Sequence, residues 1–286
     1  MKKIIYLLIA VFIFGIIANG FKNQLKPKTS VLIQSTDNKI SPEKLSQSAK
    51  IISGRLQSFN LGKFELRTIP EKLQIEVIFT DKVDLKTIEN LLTQQGDFGF
   101  YSTYNHDRLS ELLKGDNHLF SLLNAKNSKN SSAEIGYTTV AGVEKVNEYI
   151  HTLELNNQCK FVWSQPSENS EVCLYALRLE NGNGAILTGS DIESFKSNQE
   201  KTSGNYNILI EFKKEAIAIW ADATKRNINN AIAIVMDNQV IFAPILKSVI
   251  EGGKCEISGK FTETEARSIS ALGNNGELPV SFRVVR

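Results

Sequence analysis

The sequence is poor in the residues that build metal and redox centres. It has three histidines and three cysteines among 286 residues. His106, His118 and His151 stand at no ligand-like spacing with the cysteines. The chain also lacks a Gly-x-Ser-x-Gly elbow, a phosphate-binding loop and a His-Glu-x-x-His helix. We therefore predict no catalytic residue, no metal, no cofactor and no small-molecule substrate.

An excess of charge of one sign is also missing. The chain has 33 Lys and Arg against 31 Asp and Glu, and the two signs alternate along most of its length. A nucleic-acid-binding surface usually shows a clustered basic face, so we expect no nucleic-acid partner. With 42% hydrophobic and 22% charged residues, the chain can bury at least two modest cores.

Long apolar runs are absent except for one at the N-terminus. Lys2 and Lys3 precede an apolar run at residues 4–17, which small residues up to Gly20 close. This pattern is typical of an export segment. Residues 1–20 can be a signal peptide that is cleaved before Phe21, or one N-terminal hydrophobic helix retained as a membrane anchor. Residues 21–29 follow as a polar linker.

Residues 30–104 are predicted to form the first domain. Their pattern is strand, helix, strand, strand, helix, strand, which is the order of a ferredoxin-like fold. Ser41 and Pro42 predict the start of the first helix, and Asp84 predicts the start of the second. We expect the last strand, residues 98–104, to close the sheet of this base domain.

Residues 105–186 are predicted to form an α/β insert. It has helices at residues 107–124 and 141–153, a polar loop at residues 127–132, and a hairpin of strands at residues 159–163 and 172–179. Cys159 and Cys173 fall near mirror positions in this hairpin, and export would place them in an oxidising compartment. A cross-strand disulfide and two free, partly buried thiols are both compatible with that spacing.

Residues 187–286 have the pattern of a small α+β head domain. Ser190 with Glu193, and Thr262 with Glu265, each predict a capping box that opens a helix. Residues 231–236 are apolar at every position, which predicts a strand buried on both faces. The other predicted elements are a strand at 206–212, a helix ending near 227, strands at 239–245 and 255–257, a helix that Gly273 and Asn274 end, and a strand at 278–285.

The head residues resemble one known family, the first periplasmic domain of SecD and SecDF, accessory membrane proteins of bacterial Sec translocation. The residues that carry the resemblance are Leu187, Thr188, Gly189, Asp191, Thr224, Asn227, Ala233, Ile234, Val235, Asp237, Val240, Ala243, Pro244, Ile250, Gly252, Gly253, Ile257, Gly259, Phe261, Glu265, Ala266, Gly276, Leu278 and Pro279. In the base, Arg55 and Gly62 also match the family. Thr80 and Asp81 replace its usual Pro-Gly.

The resemblance implies a non-enzymatic module that holds or guides preproteins emerging from the Sec translocon. Its partners would be unfolded or extended exported polypeptides and Sec translocon components. Phe242, Ile245 and Trp220 are the candidate contact residues, provided that they are exposed.

The resemblance also bears on location. SecD begins with a membrane helix, so the resemblance favours a single-pass inner-membrane protein whose bulk is periplasmic. A soluble periplasmic protein, cleaved near Gly20, is the alternative. The family's second membrane helix would be expected after Arg286, so we expect no proton-driven movement from this chain alone.

Two further expectations concern function and mobility. A second hypothesis for function is an exported structural or surface-interaction protein that reuses the fold. We also expect the head and the base to move relative to one another across a small, polar interface.

Overall fold

The computed structural model describes residues 29–125, 133–155, 157–180, 184–201 and 203–285. The predicted N-terminal hydrophobic helix and the polar loop at residues 127–132 lie outside the described residues. Within the described ranges, no helix combines the length and the apolar character that crossing a membrane requires.

The bounds of the elements are as follows. The helices are α1 Pro42–Phe59, α2 Leu85–Thr93, α3 His106–Leu112, α4 His118–Ser121, α5 Val143–Ile150, α6 Lys214–Arg226 and α7 Glu263–Asn275. The strands are β1 Thr29–Ser35, β2 Phe64–Ile69, β3 Gln74–Phe79, β4 Phe98–Tyr104, β5 Glu134–Thr139, β6 Cys159–Ser164, β7 Glu171–Arg178, β8 Leu187–Thr188, β9 Ile192–Gln199, β10 Tyr206–Phe212, β11 Ile232–Met236, β12 Gln239–Phe242, β13 Lys254–Phe261 and β14 Phe282–Val285.

The base sheet takes its fourth strand from the end of the chain. Its order is β14-β1-β3-β2, and β14 pairs antiparallel with β1. The prediction that β4 closes this sheet is therefore wrong, and the ferredoxin-like domain expected from residues 30–104 is not confirmed. In β4, Phe98, Gly99 and Phe100 are all buried, which suits an inner strand of a larger sheet. The short β14, with one buried phenylalanine, suits the edge position.

The second sheet contains a closed ring of strands. Its order is β5-β7-β6-β12-β11-β4-β8, and a further pairing joins β7 to β4. The strands β7, β6, β12, β11 and β4 therefore form a small barrel. Successive side chains of β11 alternate between its two sides: Ala233 and Val235 lie in the apolar cluster inside the ring, whereas Ile232 and Ile234 belong to the main core.

The main core runs through both the predicted base and the predicted head. It contains Ile52 and Phe79 from the base, and Trp220 and Ile257 from the head. Helices α1 and α7 pack against each other across this boundary. The expectation of a small polar interface between head and base is wrong, because a continuous apolar core joins them.

A buried arginine adds a polar connection at the same boundary. The Arg55 side chain is fully buried in α1. Its guanidinium donates to the backbone oxygens of Gln94 at 2.6 Å, Gln95 at 2.7 Å and Gly276 at 2.8 Å. Gly96 has a φ of +80°, and a Cβ there would lie 2.5 Å from an Arg55 nitrogen. Arg55 therefore ties α1 to the connection after α2 and to the end of α7.

The start of the head differs from the prediction. The capping box is formed by Thr188 and Asp191 around a short 3-10 turn, not by Ser190 and Glu193. The chain then continues as strand β9, not as a helix, and pairs with β10. The side chain of Phe195 on β9 is buried in the main core, which fixes the strand against α7.

Gly273 and Asn274 lie inside α7 and do not end it. A Cβ on Gly273 would lie 2.3 Å from the Phe195 ring, so the glycine permits the close approach of helix and strand. Asn274 accepts from the Phe195 amide and donates to its carbonyl, both at 2.8 Å. The helix ends at Asn275, and Gly276 follows with a φ of 78°. The capping box of Thr262 and Glu265 is confirmed.

The insert also departs in part from prediction. The single helix expected at residues 107–124 is two short helices, α3 and α4, and strand β5 was not predicted. In β5, a Cβ on Gly136 would lie 2.7 Å from the Leu123 Cβ, so the strand passes close to the chain after α4. The hairpin of β6 and β7 and the helix α5 are confirmed.

Candidate functional site

Trp220 cannot contact a polypeptide in the folded protein. Its side chain is 1% exposed. Its ring lies against Phe100, with centroids 5.5 Å apart, and against Phe212, with centroids 4.9 Å apart. The tryptophan is a core residue, so the condition for its proposed contact role, exposure, is not met.

Phe242 lies at the rim of a surface cleft. It ends β12, is partly buried, and lines a cleft of about 330 Å³ that we name the β12 cleft. The other residues that line the cleft are Glu134, Ser164, Gln165, Tyr175, Val240, Ile241 and Ala243. Ile245 is also partly buried, but it lies outside this lining and packs against the apolar interior of the ring.

The cleft exists because β6 and β12 pair only briefly. The parallel pairing joins Gln239 to Trp163 and Val240 to Ser164, and β6 ends there. Within the described ranges, Ile241 and Phe242 have no strand partner on the side that faces β6. This leaves a short strand edge beside a partly apolar cavity.

The opposite wall of the cleft is polar. The pairing of β5 with β7 places Glu134 opposite Tyr175 and Tyr137 opposite Cys173. Burial raises the pKa of the Tyr175 hydroxyl, and the nearby Cys173 and Glu134 raise it further. Burial, together with a hydrogen bond to Glu134, raises the pKa of Tyr137. Both phenols therefore stay neutral at physiological pH.

The possible disulfide between Cys159 and Cys173 is not formed, and both thiols are free and buried. The strand register places Cys159 opposite Arg178, five residues from Cys173 along β7. At about 3.3 Å per residue, that separation far exceeds the roughly 7 Å limit for a disulfide. Burial raises the pKa of each thiol to about 12, so neither is a thiolate nucleophile near neutral pH.

A second groove adjoins the β12 cleft. It has a volume of about 330 Å³ and lies between α2 and α7. Its apolar residues include Met236, Ile269 and Leu272, and Asn90 and Gln94 lie on its α2 side. Gln165 lines both this groove and the β12 cleft, so the two are neighbours on the surface.

Sequence reasoning identified only one residue of the β12 cleft as a contact candidate, Phe242. Glu134 was missed because β5 is short and contains Gly136. Tyr175 was placed in a strand, but its partner strand was unknown. The signal that could have found them is the alternation of Ile135 and Tyr137, which marks a strand next to the hairpin.

Comparison with protein-family models gives one match. Residues 168–280 match the model described as SecDF, P1 head subdomain. The matched range includes β7, the part of the preceding hairpin loop from residue 168 onward, and the whole of β12. The resemblance of this chain to the first periplasmic domain of SecD and SecDF is confirmed.

Curated relatives agree with this match. The protein translocase subunit SecD of Acidaminococcus fermentans is 34% identical over 100 residues, which cover 35% of this chain and 24% of that protein. SecD of Mycobacterium tuberculosis strain H37Rv is 35% identical over 101 residues, which cover 34% of this chain and 18% of that protein. The match thus spans about a quarter or less of these relatives. Both are components of protein export, in agreement with the expectation that the chain is not an enzyme.

Solved structures share the fold over most of the chain. A crystal structure of SecDF in its super-membrane-facing form has a TM-score of 0.56 at 17% identity, and the match covers 90% of this chain and 29% of that one. A structure of SecDF, described as a membrane component that enhances protein export, has a TM-score of 0.53 at 18% identity, and the match covers 90% of this chain and 98% of that one. The mixed α+β architecture is therefore that of a SecDF periplasmic domain.

Proposed function

We propose, from the premise that residues 168–280 are a SecDF P1 head subdomain, that this chain binds unfolded or extended polypeptides during protein export. The observation that carries the proposal is the β12 cleft, which lies largely within the matched segment. The chain would hold or guide preproteins that emerge from the Sec translocon, without catalysis.

The physical basis is the pairing of a strand edge with apolar side chains. An extended polypeptide can add to a free strand edge through backbone hydrogen bonds, which do not depend on its sequence. Ile241 and Phe242 offer such an edge, and their partly exposed side chains, together with Ala243, offer apolar surface beside it. The cleft volume of about 330 Å³ is at the lower end for binding pockets, so it fits one or two side chains of a longer segment.

We further propose that the chain works at the outer face of the inner membrane, next to Sec components. The apolar run at residues 4–17 would hold it there as a single-pass anchor, as the resemblance implies. Gln165, a neutral polar residue that lines both cavities, would allow a bound segment to continue from one to the other.

Titration of a fluorescently labelled, reduced and alkylated secretory protein with the purified full chain tests this proposal. We expect a Kd between about 1 µM and 1 mM, since a small cleft supplies few contacts. Phe242→Ala should weaken binding at least about fivefold, because it removes the aromatic wall of the cleft.

Ile219→Ala is the matched control, because Ile219 is an exposed apolar residue on α6, 48% exposed and outside the cleft. It should leave the affinity unchanged. Equal effects of the two substitutions, or equally strong binding of a natively folded protein, would contradict the proposal. Capture of one folded partner only would favour the alternative of an exported interaction protein.

A further inference from the structure

The β12 cleft combines an apolar wall with a single carboxylate. Among the described residues that line it, Glu134 is the only acidic one, and no lysine, arginine or histidine lines it. The neighbouring Tyr137, Cys173 and Tyr175 are neutral, because burial and nearby groups raise the pKa of each. Glu134 is therefore the one carboxylate of the described lining.

The surroundings of Glu134 suit a bound cation. The carboxylate is partly buried, so its interaction with a cation is screened less than at an open surface. It interacts with the Tyr137 hydroxyl. A carboxylate has about four acceptor positions, so this bond and a bond to an incoming donor are compatible.

The other side of the cleft suits an alkyl chain. The partly exposed apolar residues Ile241, Phe242 and Ala243 follow one another along it. Lysine and arginine side chains place their methylene groups on apolar surface and their charged ends on a polar partner.

We propose that the β12 cleft selects a basic side chain, lysine or arginine, within an otherwise apolar extended polypeptide. The methylene groups would lie along Phe242 and Ala243, and the charged end would donate to the Glu134 carboxylate. This inference rests on the proposed function, and it names the chemical class of segment that the cleft prefers.

Three peptides that differ at one position test the inference. Each is a labelled, mainly apolar segment with lysine, norleucine or glutamate at its centre, and binding to the full chain is measured by fluorescence anisotropy. We expect the lysine peptide to bind about tenfold more tightly than the norleucine peptide, because it gains a charge-assisted hydrogen bond. The glutamate peptide should bind most weakly, and 1 M salt should reduce the lysine preference.

Glu134→Gln removes the charge and keeps the shape. It should bring the Kd values of the lysine and norleucine peptides to within about twofold of one another, with little change in the Kd of the norleucine peptide. Glu168→Gln is the control: Glu168 is exposed in the neighbouring hairpin loop and does not line the cleft, so the lysine preference should persist.

The outcomes separate the two proposals. Equal binding of the lysine and norleucine peptides to the unsubstituted chain would overturn the selectivity and leave polypeptide binding intact. A lysine preference that survives Glu134→Gln would also overturn the assignment to this residue. Binding of none of the three peptides would overturn both proposals.

Discussion

Arg55→Met tests the connection between base and head most sharply. The substitution keeps a long unbranched side chain but removes the donors that bind Gln94, Gln95 and Gly276. Hydrogen bonds from a charged group contribute about 1.5–3 kcal/mol each. Burial opposes this gain, since desolvation lowers the pKa of Arg55 to about 10, which corresponds to a cost of about 3 kcal/mol. The bonds outweigh that cost, so we expect a net loss of about 3 kcal/mol in the free energy of unfolding.

Urea denaturation of the full chain, followed by tryptophan fluorescence, measures this loss. The probe is suitable because Trp220 is buried in the core that the two regions share. Arg67→Met is the control, because the side chain of Arg67 is 50% exposed and pairs with an exposed glutamate. The control should lose less than about 0.5 kcal/mol. A loss below about 1 kcal/mol for Arg55→Met would refute the reasoning that its backbone bonds stabilise the boundary.

Three further predictions concern the core, the thiols and a surface ion network. Ile234→Ala should lower the free energy of unfolding by about 2–5 kcal/mol, because Ile234 is 1% exposed, whereas Ile219→Ala should change it by less than about 0.5 kcal/mol in the same urea titration. All three cysteines should react with a thiol reagent in denaturant without prior reduction, and two fewer thiols in oxidised protein would contradict the free-thiol assignment. Hydrogen bonds from Lys254 and Lys196 lower the pKa of Glu211 to about 2. The contribution of Glu211 to the stability of the folded protein is therefore present above about pH 4.5 and is lost as pH falls through about 2. Glu211→Gln should therefore lower the thermal midpoint at pH 7 but not at pH 2, and equal shifts at both would refute the charge assignment.

Local signals in the sequence predicted most elements of the fold. The capping box of Thr262 and Glu265 and the all-apolar residues 231–236 indicated a helix and a buried strand, and both are present. Such signals depend on neighbours in the chain, so they could be recognised without the tertiary structure. The element order of residues 30–104 was predicted for the same reason.

Long-range pairing was beyond those signals. No local sequence signal distinguishes β4 from β14 as the partner of β1, because the pairing depends on which of the two strands is buried on both faces. Gly273 and Asn274 look like a helix stop, yet Phe195 from a distant strand explains both residues. The β12 cleft depends on where β6 ends beside β12, so only Phe242 among its lining residues was a predicted contact.

Photocrosslinking in living cells tests the central claim, binding of exported polypeptides at the β12 cleft, most directly. A photoreactive amino acid would replace Ala243, which lines the cleft, or Glu71, which is exposed in the base and lies outside it. We predict that position 243 crosslinks to a range of exported chains while they are in transit, and that position 71 does not. Crosslinks of equal strength at both positions, or none to exported chains at position 243, would contradict the account.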